Sequence, residues 1–341
     1  MQRFWRATGK FTGKFTGNLT VSLIFGLAPI IAPIGLHPAP SLAQMPAASQ
    51  PFDFSKVEVI PPSPVEVLVV GAQPTAKLRL SPKKGQQQSL TMSLVSTSQA
   101  SLNNQPLPDL DLPAIQVTLD SAVTDVAING EIQQRFAYRQ VRISNPSDAN
   151  SAITKPLTEQ LQALEGVSGA AVITDAGVQK SIQLRFPSTM TPAQQAMLDQ
   201  LSQSMNNLAS PLPTGPIGIG SRWRQVSPIM INGSTFTQTA TYNLTDLKDN
   251  IATIAVDLAI ATDTKVLPTN QPLIGDLAIQ SMTASGNGQL TWDLRQLMPQ
   301  QSNMSINVKL ISEPTKLKLN GKAPIIATDT QITLSLTPAE P

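Results

Sequence analysis

The chain has 341 residues, with 24 basic and 22 acidic side chains, one histidine and no cysteine. Without cysteine there is neither a disulfide nor a site for a lipid thioether, so burial alone must hold the fold and a bacterial lipoprotein is ruled out. With His37 as the only histidine, Ser-His-Asp and Cys-His nucleophile arrangements and the usual zinc, copper and haem ligand sets are also excluded downstream of it.

The N-terminus reads as an export signal over residues 1–43. Arg3, Arg6, Lys10 and Lys14 form a positive stretch without an acid, and the run VSLIFGLAPIIAPIGL (Val21 to Leu36) is apolar. Ser41-Leu42-Ala43 then supplies the small residues that signal peptidase accepts. The apolar run is short for a membrane span, which needs roughly 20 residues, and Pro29 and Pro33 interrupt it. Cleavage after Ala43 removes His37 and four basic residues. The remaining 298 residues (341 less 43) hold 20 basic and 22 acidic groups, a formal charge of −2. The basic character therefore belongs to the signal and does not point to nucleic acid. Trp223, Trp292, Tyr138, Tyr242 and five Phe are the only aromatics left, a poor supply of stacking platforms for single strands. The product is expected to be periplasmic or extracellular and soluble, with no later transmembrane segment.

Residues 44–64 read as a Pro-rich flexible tether, with Pro46, Pro51, Pro61, Pro62 and Pro64. From Val65 the period is two. Leu90, Met92 and Leu94 alternate with polar neighbours, as do Ile115, Val117 and Leu119, and Ile182, Leu184 and Phe186. Farther on, Ile254 to Ile260 and Met304 to Leu310 repeat the pattern. Alternation of this kind buries one face of a strand and wets the other, as in antiparallel sheets. Asn-Gly pairs at 129–130, 232–233, 287–288 and 320–321 predict hairpin turns.

Two helices are expected. Ile153, Leu157, Leu161 and Leu164 have helical spacing, placing one helix at 154–165 with Gly166 as its stop. The second covers 192–208, with Thr191 as cap, Pro192 in the first position and Gln194 completing a capping box. Its apolar stripe is Met197, Leu198, Leu201, Met205 and Leu208. The expected organisation is an N-terminal β-rich half (65–190), a linking helix and connection (191–213) and a C-terminal β-rich half (214–341). The fold class is mainly β and antiparallel. The halves form two sheets or one strongly curved half-barrel-like sheet, with the helices on its concave face. Thr124 to Ser144 and Thr315 to Ser335 echo each other at a constant offset of 191 residues, through duplication or chance.

No motif carries chemistry. Ser81-Pro-Lys83-Lys84 fits S-x-x-K, but it falls in a turn between strands and has no S-D-N or K-T-G partner. Asp109 and Asp111 lack the further oxygens of a calcium loop. Nothing selects a glycosidase-like pair among the 22 acids. Gly215 to Gly220 follows a helix and leads into a strand, the reverse of a phosphate loop, and reads as a turn permitting close backbone approach. Trp223, flanked by Arg222 and Arg224, is either a core residue or the wall of an apolar cavity. The candidate cavity lining is Met197, Leu198, Leu201, Met205 and Trp223. No catalytic, cofactor-binding or metal-binding residue is assigned, and the chain is read as a non-enzyme without cofactors. Two functions fit: an envelope structural or assembly protein meeting other proteins, or a carrier of an apolar or amphipathic, lipid-like ligand.

Several stretches in order resemble a family of exported bacterial proteins of unknown function. They are Val67 to Pro74, Leu78-Arg79-Leu80, Lys84-Gly85-Gln86, Leu107-Pro108 to Leu112-Pro113 and Leu161 to Gly166. Leu212-Pro213 follows, then Pro216, Gly218, Gly220 and Trp223, similar to that family's Pro-x-Gly-x-Gly-x-x-Trp signature, and Leu290 to Pro299. The resemblance covers about 65–340. Family members often carry a lipoprotein signal, from which this chain departs by lacking the cysteine. The family brings no activity and no site residues.

Overall fold

The computed structural model describes residues 64–107, 110–111, 113–144, 158, 161–162, 164–187, 211–231, 234–269 and 274–339. Among these, fifteen strands form a single sheet. In chain order they are β1 (Val65–Val69), β2 (Gln87–Leu102), β3 (Gln105–Pro106), β4 (Leu110–Asp111), β5 (Ala114–Val126), β6 (Ile132–Ser144), β7 (Ser168–Ile173) and β8 (Gln179–Arg185). The second half adds β9 (Arg222–Ile231), β10 (Ser234–Lys248), β11 (Ile251–Ala261), β12 (Val266–Leu267), β13 (Leu277–Asp293), β14 (Gln301–Pro314) and β15 (Ile326–Pro338). The main path is β1-β9-β10-β11-β13-β14-β15-β2-β5-β6-β7-β8, with β12 on β13 and β3 and β4 on β2. The named strands pair antiparallel throughout.

The two expected halves are thus one sheet. The link is β2 against β15, whose register pairs Leu94 with Leu334 and Ser98 with Thr330. Alternation sets the inward face, as in β10, where Ser234, Phe236, Gln238, Ala240, Tyr242 and Leu244 are buried and the residues between them are not. The sheet is open, ending at β1 and β8, and it is strongly curved. β11 and β6 lie six steps apart along the path, roughly 29 Å on a flat sheet with strands about 4.8 Å apart. Yet Ile254 and Val256 of β11 share one hydrophobic cluster with Ile132 of β6 and Ile173 of β7. A single layer can bury its inner face this way only by curling upon itself.

One end of the curl is packed by that cluster, which includes Trp223, Tyr242, Leu244, Leu290, Trp292, Leu294 and Leu297. The extended segments 71–86 and 211–221 strap it shut. Leu80 N–H donates to the Asp175 carbonyl at 2.7 Å, Ser81 N–H to Leu294 at 2.7 Å and Leu212 N–H to Ala176 at 2.8 Å. Gly71 and Gly218 are obligatory in the strap. Gly71 has φ +87°, and a Cβ on Gly218 would stand 1.8 Å from the Ala72 carbonyl oxygen. The close backbone approach expected of the Gly215–Gly220 stretch is present. The other end is covered by Leu267 and Leu277, packed with Phe236 and Ile326.

The Asn-Gly expectation holds in part. Asn129-Gly130 lies in the turn between β5 and β6, and Asn320 and Gly321 form a turn with φ 51° and 80°. Asn287-Gly288 is no turn: it lies within β13, opposite Ser305 and Met304 of β14. A Cβ on Gly288 would meet the Asn303 carbonyl at 2.4 Å, so this glycine permits close strand approach. Two tight turns instead use Asn103-Asn104 and Asp249-Asn250, all with positive φ, which short polar side chains tolerate. Residues 232–233 lie outside the described residues. The echoing segments differ in turn geometry, since Gly130 has positive φ without Asn129.

The helix expected at 154–165 is represented only by helical backbone at Thr158, Leu161 and Gln162, and that at 192–208 lies wholly outside the described residues. No complete helix packs on the concave face among the described residues. Leu161, Leu164 and Val167 do cover the inner face over β5 and β6, against Ile115, Val117, Tyr138 and Val141. The signal and most of the tether also lie outside the described residues.

Outside the curl charged pairs lie on the surface beside scattered apolar side chains such as Val95, Val226 and Ile311. Ion pairs such as Arg224–Glu66 at 2.5 Å, Lys84–Asp125 at 3.0 Å and Lys309–Asp329 at 3.2 Å are solvated, and screening leaves such pairs little to contribute to stability. A fully buried Leu or Ile contributes about 1.5–3 kcal/mol, so the inner clusters decide stability. The turn Asp293–Gln296 is different. Asp293 is 6% exposed and accepts from Arg295 Nε at 2.8 Å and Nη2 at 2.9 Å. The hydrogen bond from Arg295 holds its carboxyl below the usual range. A depressed folded pKa stabilises above the unfolded value of about 3.9 and loses that stabilisation as pH falls through the folded one. The melting temperature is expected to be flat from about pH 7 to 5 and to fall below about pH 4. Asp293→Asn should flatten part of that fall, the rest coming from Asp125, held down by Lys84, and Glu131, held down by Lys180. Thermal melts across pH check this.

Candidate functional site

The concave face is the one surface on which many strands converge. Its inward positions follow from the registers. Trp223 of β9 faces Tyr242 of β10, which faces Val256 of β11, then Gly288 of β13, Met304 of β14, Leu334 of β15 and Leu94 of β2. From β9 through β5, eight consecutive strands, no inward position is Asp, Glu, Lys or Arg.

Three zones make up this face. At the strapped end the face is filled: Trp223 is 0% exposed, stacks on Tyr242 at 5.5 Å and 17°, and donates from Nε1 to the Pro211 carbonyl at 3.0 Å. Across the sheet from it, on β5, β2, β15 and β14, Met92, Leu119, Met304, Ile306, Leu334 and Leu336 point inward and are only half-buried. Beside them Gly286 and Gly288 present no side chain. Toward the far end the same face turns polar but stays uncharged. Ser96, Ser98, Ser312, Thr328 and Thr330 are buried on β2, β14 and β15, as are Gln225, Ser227 and Gln238 on β9 and β10. Ser98 Oγ and Thr330 Oγ1 are hydrogen-bonded at 3.0 Å, while the hydroxyls of Ser96, Ser312 and Thr328 have no partner among the described residues.

Of the proposed lining, Met197, Leu198, Leu201 and Met205 lie outside the described residues, and Trp223 lies in the packed end. The half-buried methionines and leucines of β2, β14 and β15 and the hydroxyls beyond them were not foreseen. Their signal was in the sequence. In LVSTSQAS (94–101) and IATDTQIT (326–333), Ser and Thr continue the apolar register, placing hydroxyls where core residues belong.

The other sequence candidates are scattered. Ser81 to Lys84 runs through the strap into a turn, with Lys84 exposed beside Asp125. Asp111 sits in β4, paired with Thr97, and Asp109 lies outside the described residues. Among the described residues no group of three His, Cys, Asp or Glu could hold a metal ion, and no helix is long and apolar enough to cross a membrane. Burial raises the Tyr138 hydroxyl to about 12, with its ring edge-on to Phe136 at 6.3 Å. That pair packs the β6 wall.

Residues 193–321 match a family of unknown function, DUF6263. The DUF6263 match spans β9 to β14 and covers less than half of the chain. No curated protein matches the sequence. Among solved structures the chain is similar to one described as lipid–protein interactions in lipovitellin. The identity is 13% and the TM-score 0.35, over 76% of this chain and 26% of that one. It is also similar to OmpT, an outer membrane protein of Vibrio cholerae, at 8% identity and TM-score 0.18, over 74% of this chain and 100% of that one. An outer membrane channel from Pseudomonas putida F1 matches at 8% identity and TM-score 0.19, over 76% and 97%. The chain spans about a quarter of the length of the lipovitellin it matches, and scores this low mean that the whole folds do not superpose.

Proposed function

We propose that this chain is an exported, non-enzymatic binding protein for an amphipathic, lipid-like molecule held against the concave face of the sheet. One observation carries the reading. Eight strands turn an uncharged face inward, and on it flexible Met and Leu side chains of β2, β14 and β15 stay half-buried at the margins of the packed clusters. Ligand sites are concave and mostly apolar, with a few placed polar groups, and methionine adapts to varied apolar shapes. The absence of His and Cys after residue 43 supports binding without catalysis or cofactor.

The test uses residues 44–341, purified without detergent. The fluorescent probe N-phenyl-1-naphthylamine should bind with enhanced emission, and an organic extract analysed by mass spectrometry should contain a stoichiometric lipid. Met304→Asp, which introduces a charge into this apolar zone, should weaken probe binding by about tenfold or more. An empty extract together with no probe binding would sink the reading.

A second reading, an assembly role in the envelope, is favoured by one feature. The edge strand β1 continues into an apolar run in which Val67, Leu68, Val69 and Val70 are 39%, 41%, 47% and 52% exposed. Apolar strand edges accept an added strand from a partner. Cross-linking in the producing cell should then capture one defined protein partner through residues 67–70, and repeated recovery of the chain alone would overturn it.

A further inference from the structure

Five hydroxyls run obliquely across three neighbouring strands of the concave face: Ser312 on β14, Thr328 and Thr330 on β15, and Ser98 and Ser96 on β2. Register places them as neighbours. Thr330 pairs with Ser98, Thr328 with Leu310 two residues before Ser312, and Ser96 with Ile332 two residues after Thr330. They share the inward side with Leu94, Leu310 and Ile332, which pack together in one cluster. Ser96 is 2% exposed, Ser312 0% and Thr328 8%, and none of the three hydroxyls has a partner among the described residues. Burying a hydroxyl unpaired is unfavourable, so three on one patch of wall is a poor arrangement for packing alone. Alanine or valine would serve packing better. The patch also adjoins the half-buried apolar zone, where Met304, Ile306 and Leu334 lie on the same strands.

The chemistry of the patch is specific. Hydroxyls donate one hydrogen bond each and accept others, which suits carbonyl and hydroxyl oxygens. No inward residue from β9 to β5 is Lys or Arg, and an anionic headgroup there would lose its hydration with no cation to compensate. Resting on the reading of the concave face as a lipid-like site, we infer that the hydroxyls of Ser96, Ser312 and Thr328, with the Ser98–Thr330 pair between them, receive the uncharged ester and hydroxyl oxygens of a neutral glyceride. Its acyl chains then lie along Met92, Met304, Ile306, Leu334 and Leu336. The selected class is a neutral acylglycerol, not a fatty acid anion or a phospholipid.

The experiment is competition against N-phenyl-1-naphthylamine bound to residues 44–341, using 1,2-dioctanoylglycerol and octanoate as competitors. The glyceride should displace the probe and the anion should compete at least tenfold more weakly. Ser96→Ala, Ser312→Ala and Thr328→Val should each weaken the glyceride about threefold to tenfold, read as the competition constant corrected for each variant's own probe affinity. Thr328→Ser, which keeps the oxygen, should restore most of the loss. The same three variants should melt at or above the wild-type temperature, because each removes an unpaired buried hydroxyl. Hydroxyls that only hold the fold would lower the melting temperature and leave competition unchanged, overturning the inference. Stronger competition by octanoate, or equal glyceride affinity in all variants, would overturn it too, with the wider reading intact as long as the probe binds. Loss of all probe binding in the wild type is the separate failure of that reading.

Discussion

Gly218→Ala is expected to destabilise the protein by more than about 4 kcal/mol, in the exceptional range for one substitution. The added Cβ would sit 1.8 Å from the Ala72 carbonyl oxygen and 2.9 Å from its carbon. These are backbone atoms, with no flexible end to swing aside. Nor can the strands separate cheaply. Gly218 N–H donates to Val70 at 2.9 Å, Ala72 N–H to Ile219 at 2.8 Å, and Ala76 and Ile217 exchange bonds at 2.9 Å. Opening the crossing breaks this ladder and lifts the strap from Leu212, Ile217 and Trp223. Gly215→Ala is the control, since its Cβ would meet nothing within 4 Å. Urea denaturation followed by tryptophan fluorescence should show a large fall in the midpoint for the first and little change for the second. Equal midpoints would mean that the crossing is not formed in solution.

Trp223→Ala should cost about 3–5 kcal/mol, the usual range for removing a large buried aromatic. The indole is 0% exposed, and deletion leaves three gaps at once. Tyr242 loses its stacking partner at 5.5 Å, the Pro211 carbonyl loses its donor at 3.0 Å, and the strapped end loses one of its two indoles. Trp223→Phe keeps most of the volume and loses the donor, so about half of the cost is expected. Circular dichroism melts separate the two variants. Probe binding should survive the milder change, since Phe still fills most of the space behind Met304, which lies in the same register row and packs against the same cluster.

Reading the sequence against the fold separates local from distant information. The strands were legible because period-two alternation is local. Ile254 to Ile260 and Met304 to Leu310 lie in β11 and β14 with the expected residues inward. Turn chemistry was half legible. Asn320-Gly321 turns as expected, whereas Asn287-Gly288 sits in β13, because a glycine needed for close strand approach looks the same in sequence as one needed for positive φ. Asn103-Asn104 and Asp249-Asn250 make turns without glycine. The concave site was the least legible part. Ser96 and Thr328 interrupt apolar runs, and one strand alone cannot tell whether a hydroxyl at a core position meets a partner or a void.

By itself, then, the sequence determined that the chain is mainly β and antiparallel. It also determined that no cysteine ties the fold and that no histidine or cysteine follows residue 43. Those are matters of composition and of neighbours along the chain. Only the tertiary structure decided that the two halves are one open, curled sheet, because the pairing of β2 with β15 joins residues more than two hundred positions apart. The same curl made Trp223 a plug at one end and gathered the hydroxyls of three strands into one uncharged wall. Sidedness is written in each strand, but what a side faces depends on how far the whole sheet bends.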